Sequence, residues 1–319
     1  VIGVIYQDTQ DFNLARSIFI LGAPLLEYQV QMLKNAGCKK IIIVNPYQET
    51  KTEQQGISCV CVKADPTGCN LNLIIPFLDD EPFYLICGNA FSGDPLDQLP
   101  VADVAALTTE QSAGFAVTLE DAAIVDIVYN GVGPKLAQIF RIRPELVTYG
   151  FRNNELFFEL FLTDMLRRQK KILAVPAAKY TRVLLTPDDV YRTTYALLEQ
   201  ESFPIRGEKL HQSYYGKKCE IDFSTELTGR QFFGNDCTVG KNGRLTNVIM
   251  GDVVTVGAST KIEGSIIMSK VIIGNNCELN HCILGEGVVL DDQVRIPSGM
   301  IVASGSHLTS NTGVLNDSK

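Results

Sequence analysis

Few side chains in this sequence stand where they could do chemistry together. The three histidines, His211, His281 and His307, lie far apart and lack the spacing of metal ligands. His281 falls inside a repeating stretch, between Leu279 and Leu284, where an imidazole held between two turns could act as a general base. The plainer reading is a polar corner residue beside Asn280. Asp94 and Asp97, in GDPLDQL, could offer two carboxylates to a divalent cation, but turn preference and helix capping explain both. The nine cysteines form no C-x-x-C pair. Most stand among aliphatic residues and read as small buried hydrophobes in a reducing cytosol. The densest basic spot, Arg167, Arg168, Lys170 and Lys171, is short and reads as a solvated helix end.

Charge and composition narrow the class. A formal charge of −8 suggests no nucleic-acid-binding face. With 45% hydrophobic and 20% charged residues over 319 positions, one or two globular domains with large cores are expected. No apolar run is long enough to span a bilayer, and no signal-peptide pattern follows Val1. The expectation is a cytoplasmic protein that binds neither nucleic acid nor membrane.

Any site must be positioned by the elements around it. Val1 to Tyr6, Ile41 to Val44, Ile57 to Val62 and Phe83 to Cys87 are short apolar runs, the pattern of buried strands. Between them, Pro24 to Ala36 and Asn70 to Leu78 read as helices, with Gly37 as a helix stop. Ala102 to Leu107, Ala116 to Leu119 and Ala123 to Tyr129 are weaker strands. Leu156 to Gln169 and Pro187 to Gln200 are helical. This alternation predicts an α/β domain with a Rossmann-like mixed sheet over residues 1–205. Glu201 to Tyr215 reads as a linker.

From Val239 to Ile301 the pattern changes and repeats every seventeen residues. Three apolar columns run through it: Val239, Val256, Ile273, Leu290; Leu245, Ile262, Leu279, Ile296; and Met250, Ile267, Leu284, Ile301. The spacing within each turn is six, five and six, a hexapeptide repeat with one short corner. It predicts a parallel β-helix of about four turns, each strand pointing one aliphatic residue inward. The β-helix domain is placed at 206–303, and 304–319 reads as a flexible tail.

An α/β domain followed by such a β-helix resembles the sugar-nucleotide pyrophosphorylase family of nucleotidyltransferases, in which the helix is left-handed. It also resembles the gamma and epsilon subunits of the eukaryotic initiation-factor exchange complex. Gly22 to Val44 (GAPLLEYQVQMLKNAGCKKIIIV) is similar to the family's KPL[IL]EY segment, and Phe83 to Leu96 to its strand ending in a GD motif. Ala137 to Val147 resembles the family's strand and the turn after it, and Lys179 to Leu198 resembles the W-x-D-I-G-T-P segment that ends the catalytic domain.

Where the sequence departs from that pattern, it departs at the charged parts of the site. The family's Gly-rich G-x-G-[TS]-R loop cradles phosphates; here Tyr6 to Arg16 has no Gly and carries Asp8 and Asp11. Asn89 stands for the metal-binding Asp of the GD motif, and Val183 for the second metal carboxylate, with Leu185 replacing Gly and Thr181 replacing Trp. YNGVGPK (Tyr129 to Lys135) lacks the Glu of the E-K-P motif, and Lys135 follows its proline. DPTGCNL (Asp65 to Leu71) is what remains of the base-reading loop.

The resemblance therefore implies a degenerate family member with no catalytic or metal-binding residue. Gly68, Gly88 and Asn89 are the family-aligned ligand positions, and no cofactor is expected unless activity survives, which would require Mg²⁺. The expected role is a regulatory or scaffolding subunit. It would be a homo- or hetero-oligomer with a related catalytic subunit and could sense a nucleotide sugar. The alternatives are an active enzyme joining NTP and sugar 1-phosphate, and an exchange-factor gamma-like subunit.

Overall fold

The computed structural model describes residues 1–7, 19–21, 23–45, 51–54, 57–63, 71–111, 113–150, 158–177, 180–184, 187–199, 208–210 and 213–310. The chain divides into two compact units: Val1–Arg16 with Leu25–Leu185, and Ser17–Pro24 with Thr186–Lys319. The first strands in chain order are β1 (Ile2–Tyr6), β2 (Phe19–Ile20), β3 (Ala23–Pro24), β4 (Lys40–Asn45), β5 (Lys51–Gln54), β6 (Ile57–Lys63) and β7 (Phe83–Cys87). They are followed by β8 (Ala90–Phe91), β9 (Val104–Thr109), β10 (Phe115–Glu120), β11 (Ala123–Tyr129), β12 (Lys135–Ile142), β13 (Ile172–Pro176) and β14 (Arg182–Val183).

In the first unit ten strands form one mixed sheet, ordered β10-β11-β13-β9-β12-β7-β1-β4-β6-β5. The pairs β1–β4, β1–β7, β4–β6 and β9–β13 are parallel. β12 runs antiparallel between β7 and β9. Every residue of β1 and β7 is buried, as a strand covered on both faces requires. Helix α1 (Leu25–Asn35) turns Leu25, Gln29, Val30 and Leu33 inward. It stops where expected. Gly37 takes φ +81°, and the Cys38 N–H donates to the Leu33 carbonyl at 3.0 Å, the long bond of a Schellman cap. Residues 70–78 contain a 3₁₀ helix at Leu71–Phe77 rather than an α-helix; Pro76 inside it cannot donate a helical bond. Helices α2 (Pro144–Gly150) and α3 (Phe158–Arg167) follow, and Phe161 joins the core.

The second unit is a parallel β-helix of three sheets. One contains β16 (Ser213–Tyr215), β19 (Phe232–Phe233), β22 (Ile249–Met250), β25 (Ile266–Ile267), β28 (Ile283–Leu284) and β31 (Ile301–Val302), edged by antiparallel β15 (Glu208–Leu210). The second contains β17 (Glu220–Ile221), β20 (Thr238–Val239), β23 (Thr255–Val256), β26 (Ile272–Ile273), β29 (Val289–Leu290) and β32 (His307–Leu308). The third contains β18 (Glu226–Thr228), β21 (Arg244–Thr246), β24 (Lys261–Glu263), β27 (Glu278–Asn280) and β30 (Arg295–Ile296).

The seventeen-residue columns are in register through the middle coils, but the helix is longer than they indicate. Ile221 pairs with Val239 and Leu227 with Leu245, each eighteen residues on, so one extra corner residue hid the first coil from a strict period. The same shift corrects the end of the third column. Leu284 pairs with Val302, which is 5% exposed, whereas Ile301 points outward and is 57% exposed. Leu290 likewise pairs with Leu308, so the β-helix continues past 303 into the segment read as tail. β15 and β16 occupy part of the supposed linker. Helix α4 (Pro187–Glu199) belongs with the β-helix unit, not with an α/β domain ending at 205. The Tyr195 hydroxyl donates to the Asn247 carbonyl, and the Tyr191 ring lies 6.3 Å from that of His281.

Each coil turns through left-handed corner residues. At one corner these are Lys218, Asp236, Val253, Lys270, Gly287 and Gly305. Val253 is the exception: a β-branched residue at φ +60°, half exposed. Holding an ordinary L-residue there costs roughly 1–2 kcal/mol, a cost that Asn largely avoids. Val253→Asn is therefore expected to raise stability by about 1 kcal/mol in chemical denaturation; an unchanged midpoint would contradict the strain.

Candidate functional site

The sheet order of the α/β unit reverses at β1, which has β7 on one side and β4 on the other. In open α/β sheets ligands bind beyond the carboxyl ends of the strands at this switch point. Gln7 ends β1 there, and Gly88 and Asn89 end β7. Gly88 takes φ +56°, and its N–H donates to the Tyr6 carbonyl at 2.8 Å. Gln29, fully buried on α1, donates through Nε2 to the carbonyls of Gly88 (2.8 Å) and Ala90 (2.9 Å). Gln7 Nε2, also fully buried, donates to Gln29 Oε1 at 3.3 Å. Two amide side chains thus lock the turn after β7 from inside. Gly68, Asp8, Asp11, Arg16 and Leu185 lie outside the described residues.

Asn89 and Val183 are brought together. β8 and β14 pair antiparallel with Val183 opposite Ala90, and the Leu184 N–H donates to the Asn89 carbonyl at 3.0 Å. Asn89 is 2% and Val183 3% exposed. Beside them, the Thr181 hydroxyl lies 2.6 Å from Ser92 Oγ and donates to Asp94 Oδ2 at 2.9 Å. Thr109 Oγ1 donates to the Thr181 carbonyl at 2.6 Å, and the Val183 N–H donates to Gln111 Oε1 at 3.0 Å. These bonds tie the loop after β7 to β14 directly.

The other candidates are held elsewhere. The buried Lys135 ammonium donates to the carbonyls of Gly131 (2.6 Å) and Gly133 (3.1 Å), closing its own loop. Asp97 is exposed in a short 3₁₀ turn, while Asp94 is half-buried against Thr181. His281 is an exposed corner residue at φ +42°, its Nδ1 against Asn280 Oδ1. Burial pushes the Cys38 and Cys282 thiols up to about 11 and that of Cys237 to about 12, so they remain neutral core groups.

The family of the initiation factor EIF2B subunit epsilon LbH domain, a left-handed β-helix, matches residues 210–314. A glucose-1-phosphate adenylyltransferase of Mannheimia succiniciproducens is 29% identical over 141 residues, 42% of this chain and 31% of the relative. One from Haemophilus influenzae is 27% identical over 100 residues, 31% of this chain and 21% of its own length. The bifunctional protein GlmU of Methylococcus capsulatus is 31% identical over 101 residues, again 31% and 21%.

The chain thus matches a left-handed β-helix family over its C-terminal third and is similar, over 31–42% of its length, to glucose-1-phosphate adenylyltransferases and GlmU. It spans only 21–31% of the length of these relatives.

The resemblance of this chain to the sugar-nucleotide pyrophosphorylases implies Mg²⁺ between two carboxylates. The residues present do not fit that ion. The two positions are backbone neighbours at the β8–β14 pairing, but they carry an amide and an isopropyl group, and Asp94 already accepts from Thr181. Among the described residues no group of three or more His, Cys, Asp or Glu could hold a metal.

Reading the residues in order overlooked Gln29 and the Thr181–Asp94–Ser92 tie. Gln29 left a usable signal: it interrupts the apolar series Leu25, Gln29, Leu33 at a four-residue step, where a polar side chain must find buried partners. The Thr181 tie left none, since its members are more than eighty residues apart in the chain.

Proposed function

We propose that this chain is a non-catalytic, pyrophosphorylase-like subunit that regulates or scaffolds a larger assembly. One observation carries the reading: Asn89 and Val183, backbone neighbours at the β8–β14 pairing, occupy the positions where the resemblance implies two metal carboxylates, and neither can ionise. Nucleotidyl transfer depends on positioning and on metal charge at the phosphates. With an amide and an isopropyl group there, negative charge developing on the α-phosphate meets no compensating cation. The match of the β-helix to that of an initiation-factor epsilon subunit supports an exchange-factor type of assembly. The carboxyl ends of β1 and β7 would serve at most to sense a nucleotide sugar.

The test is direct. The purified chain is incubated with each NTP, Mg²⁺ and a panel of sugar 1-phosphates, and released pyrophosphate is measured. No release above the protein-free control is expected; robust turnover would overturn the proposal and favour an active transferase. A sensing pocket would show as a rise in thermal stability, about 2.7 kcal/mol at a hundredfold excess of nucleotide sugar over its Kd.

A further inference from the structure

Cys219 and Cys237 occupy the same position in the first and second coils of the β-helix. Glu220 and Ile221, next after Cys219, pair in parallel with Thr238 and Val239, and the Glu220 N–H donates to the Cys237 carbonyl at 2.8 Å. One strand spacing, about 4.8 Å, thus separates the two backbones, within the roughly 4.4–6.8 Å between Cα atoms that a disulfide spans. The side chains run alike. Cys219 Sγ donates to the Gly234 carbonyl at 3.0 Å, and Cys237 Sγ to the Gly251 carbonyl at 3.1 Å. The two thiols also lie within hydrogen-bonding reach of each other. Cys237 is buried and Cys219 half-buried. Cysteines on other described strands and coils have different neighbours: Cys277 stacks on Thr260, Cys282 on Ser265, and Cys61 pairs with Ile43.

We infer that Cys219 and Cys237 are an oxidation site, at which a peroxide converts the two thiols to a disulfide that staples the first coil of the β-helix to the second. The Cys219 sulfur, the more exposed, attacks one peroxide oxygen and breaks the O–O bond. A sulfenic acid forms and one water leaves. The Cys237 sulfur then attacks the Cys219 sulfur, the S–O bond breaks, and the hydroxyl departs with the Cys237 proton as a second water. Two thiols lose two electrons and two protons, and one peroxide becomes two waters. The place of the pair in the fold lets the bond close. Side chains stacked at the strand spacing stand farther apart than the roughly 3.8 Å between Cβ atoms of a relaxed disulfide, so one coil must move toward the other. β17 and β18 each end their sheets. The first coil can therefore shift, as an interior coil held on both sides cannot. The remaining strain keeps the bond easy for a thiol to reduce, which makes the staple reversible. It acts on an open sheet edge, the part of a β-helix most exposed to pairing with foreign strands.

Trypsin separates the pair, because Cys219 falls in 219–230 and Cys237 in 231–241, each without another cysteine. The full chain is reduced, treated with hydrogen peroxide, digested without reductant and examined by mass spectrometry. The two peptides are expected joined, two hydrogens lighter than their sum, and separate again after dithiothreitol. Burial pushes the Cys219 thiol up, offset in part by hydrogen bonds from Cys237. Its thiolate is therefore scarce at neutral pH, and linkage should quicken about tenfold from pH 7 to pH 8. A second readout follows the coil itself. The N–H groups of Glu220 and Asp222 donate to the Cys237 and Val239 carbonyls, and their hydrogen exchange should slow roughly tenfold or more in the oxidised chain. Cys219→Ser should abolish both effects, whereas Cys61→Ser, on β6, should leave both; far-UV circular dichroism checks that each variant is folded. Oxidation of Cys219 that stops at the sulfinic acid, a disulfide to any other cysteine, or a linkage that leaves exchange at Glu220 unchanged would overturn the inference.

Discussion

A Gly257→Ala chain is expected to lose about 3 kcal/mol of stability in its β-helix unit, the upper range for forced overpacking. A Cβ at Gly257 would stand 2.5 Å from the carbonyl carbon and oxygen of Gly274 and 2.7 Å from the Asn275 nitrogen. These are backbone atoms of the next coil. The ladder holds them, with Gly257 N–H on the Ile273 carbonyl at 2.8 Å and Gly274 N–H on the Leu290 carbonyl at 2.9 Å. Nor can Gly274 retreat, since its own Cβ position lies 2.6 Å from Asp291 and Asp292 backbone. The control is Gly287→Asn at φ +68°, where nothing lies within 4 Å of an added Cβ. Asn tolerates that conformation, so less than about 1 kcal/mol should be lost. Urea denaturation followed by far-UV circular dichroism separates the two. Equal midpoints for Gly257→Ala and the parent would sink the close-stacking account.

Gln29→Leu should destabilise the α/β unit by a similar amount, for a different reason. Leucine fits a helix face and is apolar, so the loss is not one of packing. It leaves the carbonyls of Gly88 and Ala90 without the donor that Gln29 provides, and Gln7 Nε2 without its acceptor. Each buried polar group left unsatisfied costs roughly 1–3 kcal/mol, so about 3 kcal/mol in total is expected. Gln29→Glu keeps the shape but removes the donors, and should fall with it. Denaturation of both variants provides the measurement. If Gln29→Leu matched the parent, the turn after β7 would not depend on the amide lock.

The two variants probe parts of the fold that differed in how plainly the sequence disclosed them. The middle coils of the β-helix were legible because each inward residue meets its equivalent one coil away, and a parallel stack turns that contact into a fixed period. The first and last coils were hidden when single corner insertions changed seventeen to eighteen, which moved Val302 inward in place of Ile301. The covered face of the β16–β31 sheet was also written in the chain. Its strands are apolar at both positions (Ile249–Met250, Ile266–Ile267, Ile283–Leu284), whereas those of the β18–β30 sheet place one aliphatic residue beside polar ones. In the α/β unit the apolar runs marked β1, β4, β6 and β7. β12, with Lys135, Gln138 and Arg141 among its aliphatics, was marked by family resemblance alone.

By itself the sequence determined the two architectures, the stop of α1 at Gly37, and the absence of acidic groups at positions 89 and 183. These are local or periodic properties, set by residue type and short-range spacing. Tertiary structure alone decided that Asn89 and Val183 stand together, that Thr181 ties Asp94 to β14, and that Gln29 secures the turn beyond β7. Those facts depend on strand order and register between residues tens of positions apart. No local spacing encodes such pairings, because they form only when the sheet assembles.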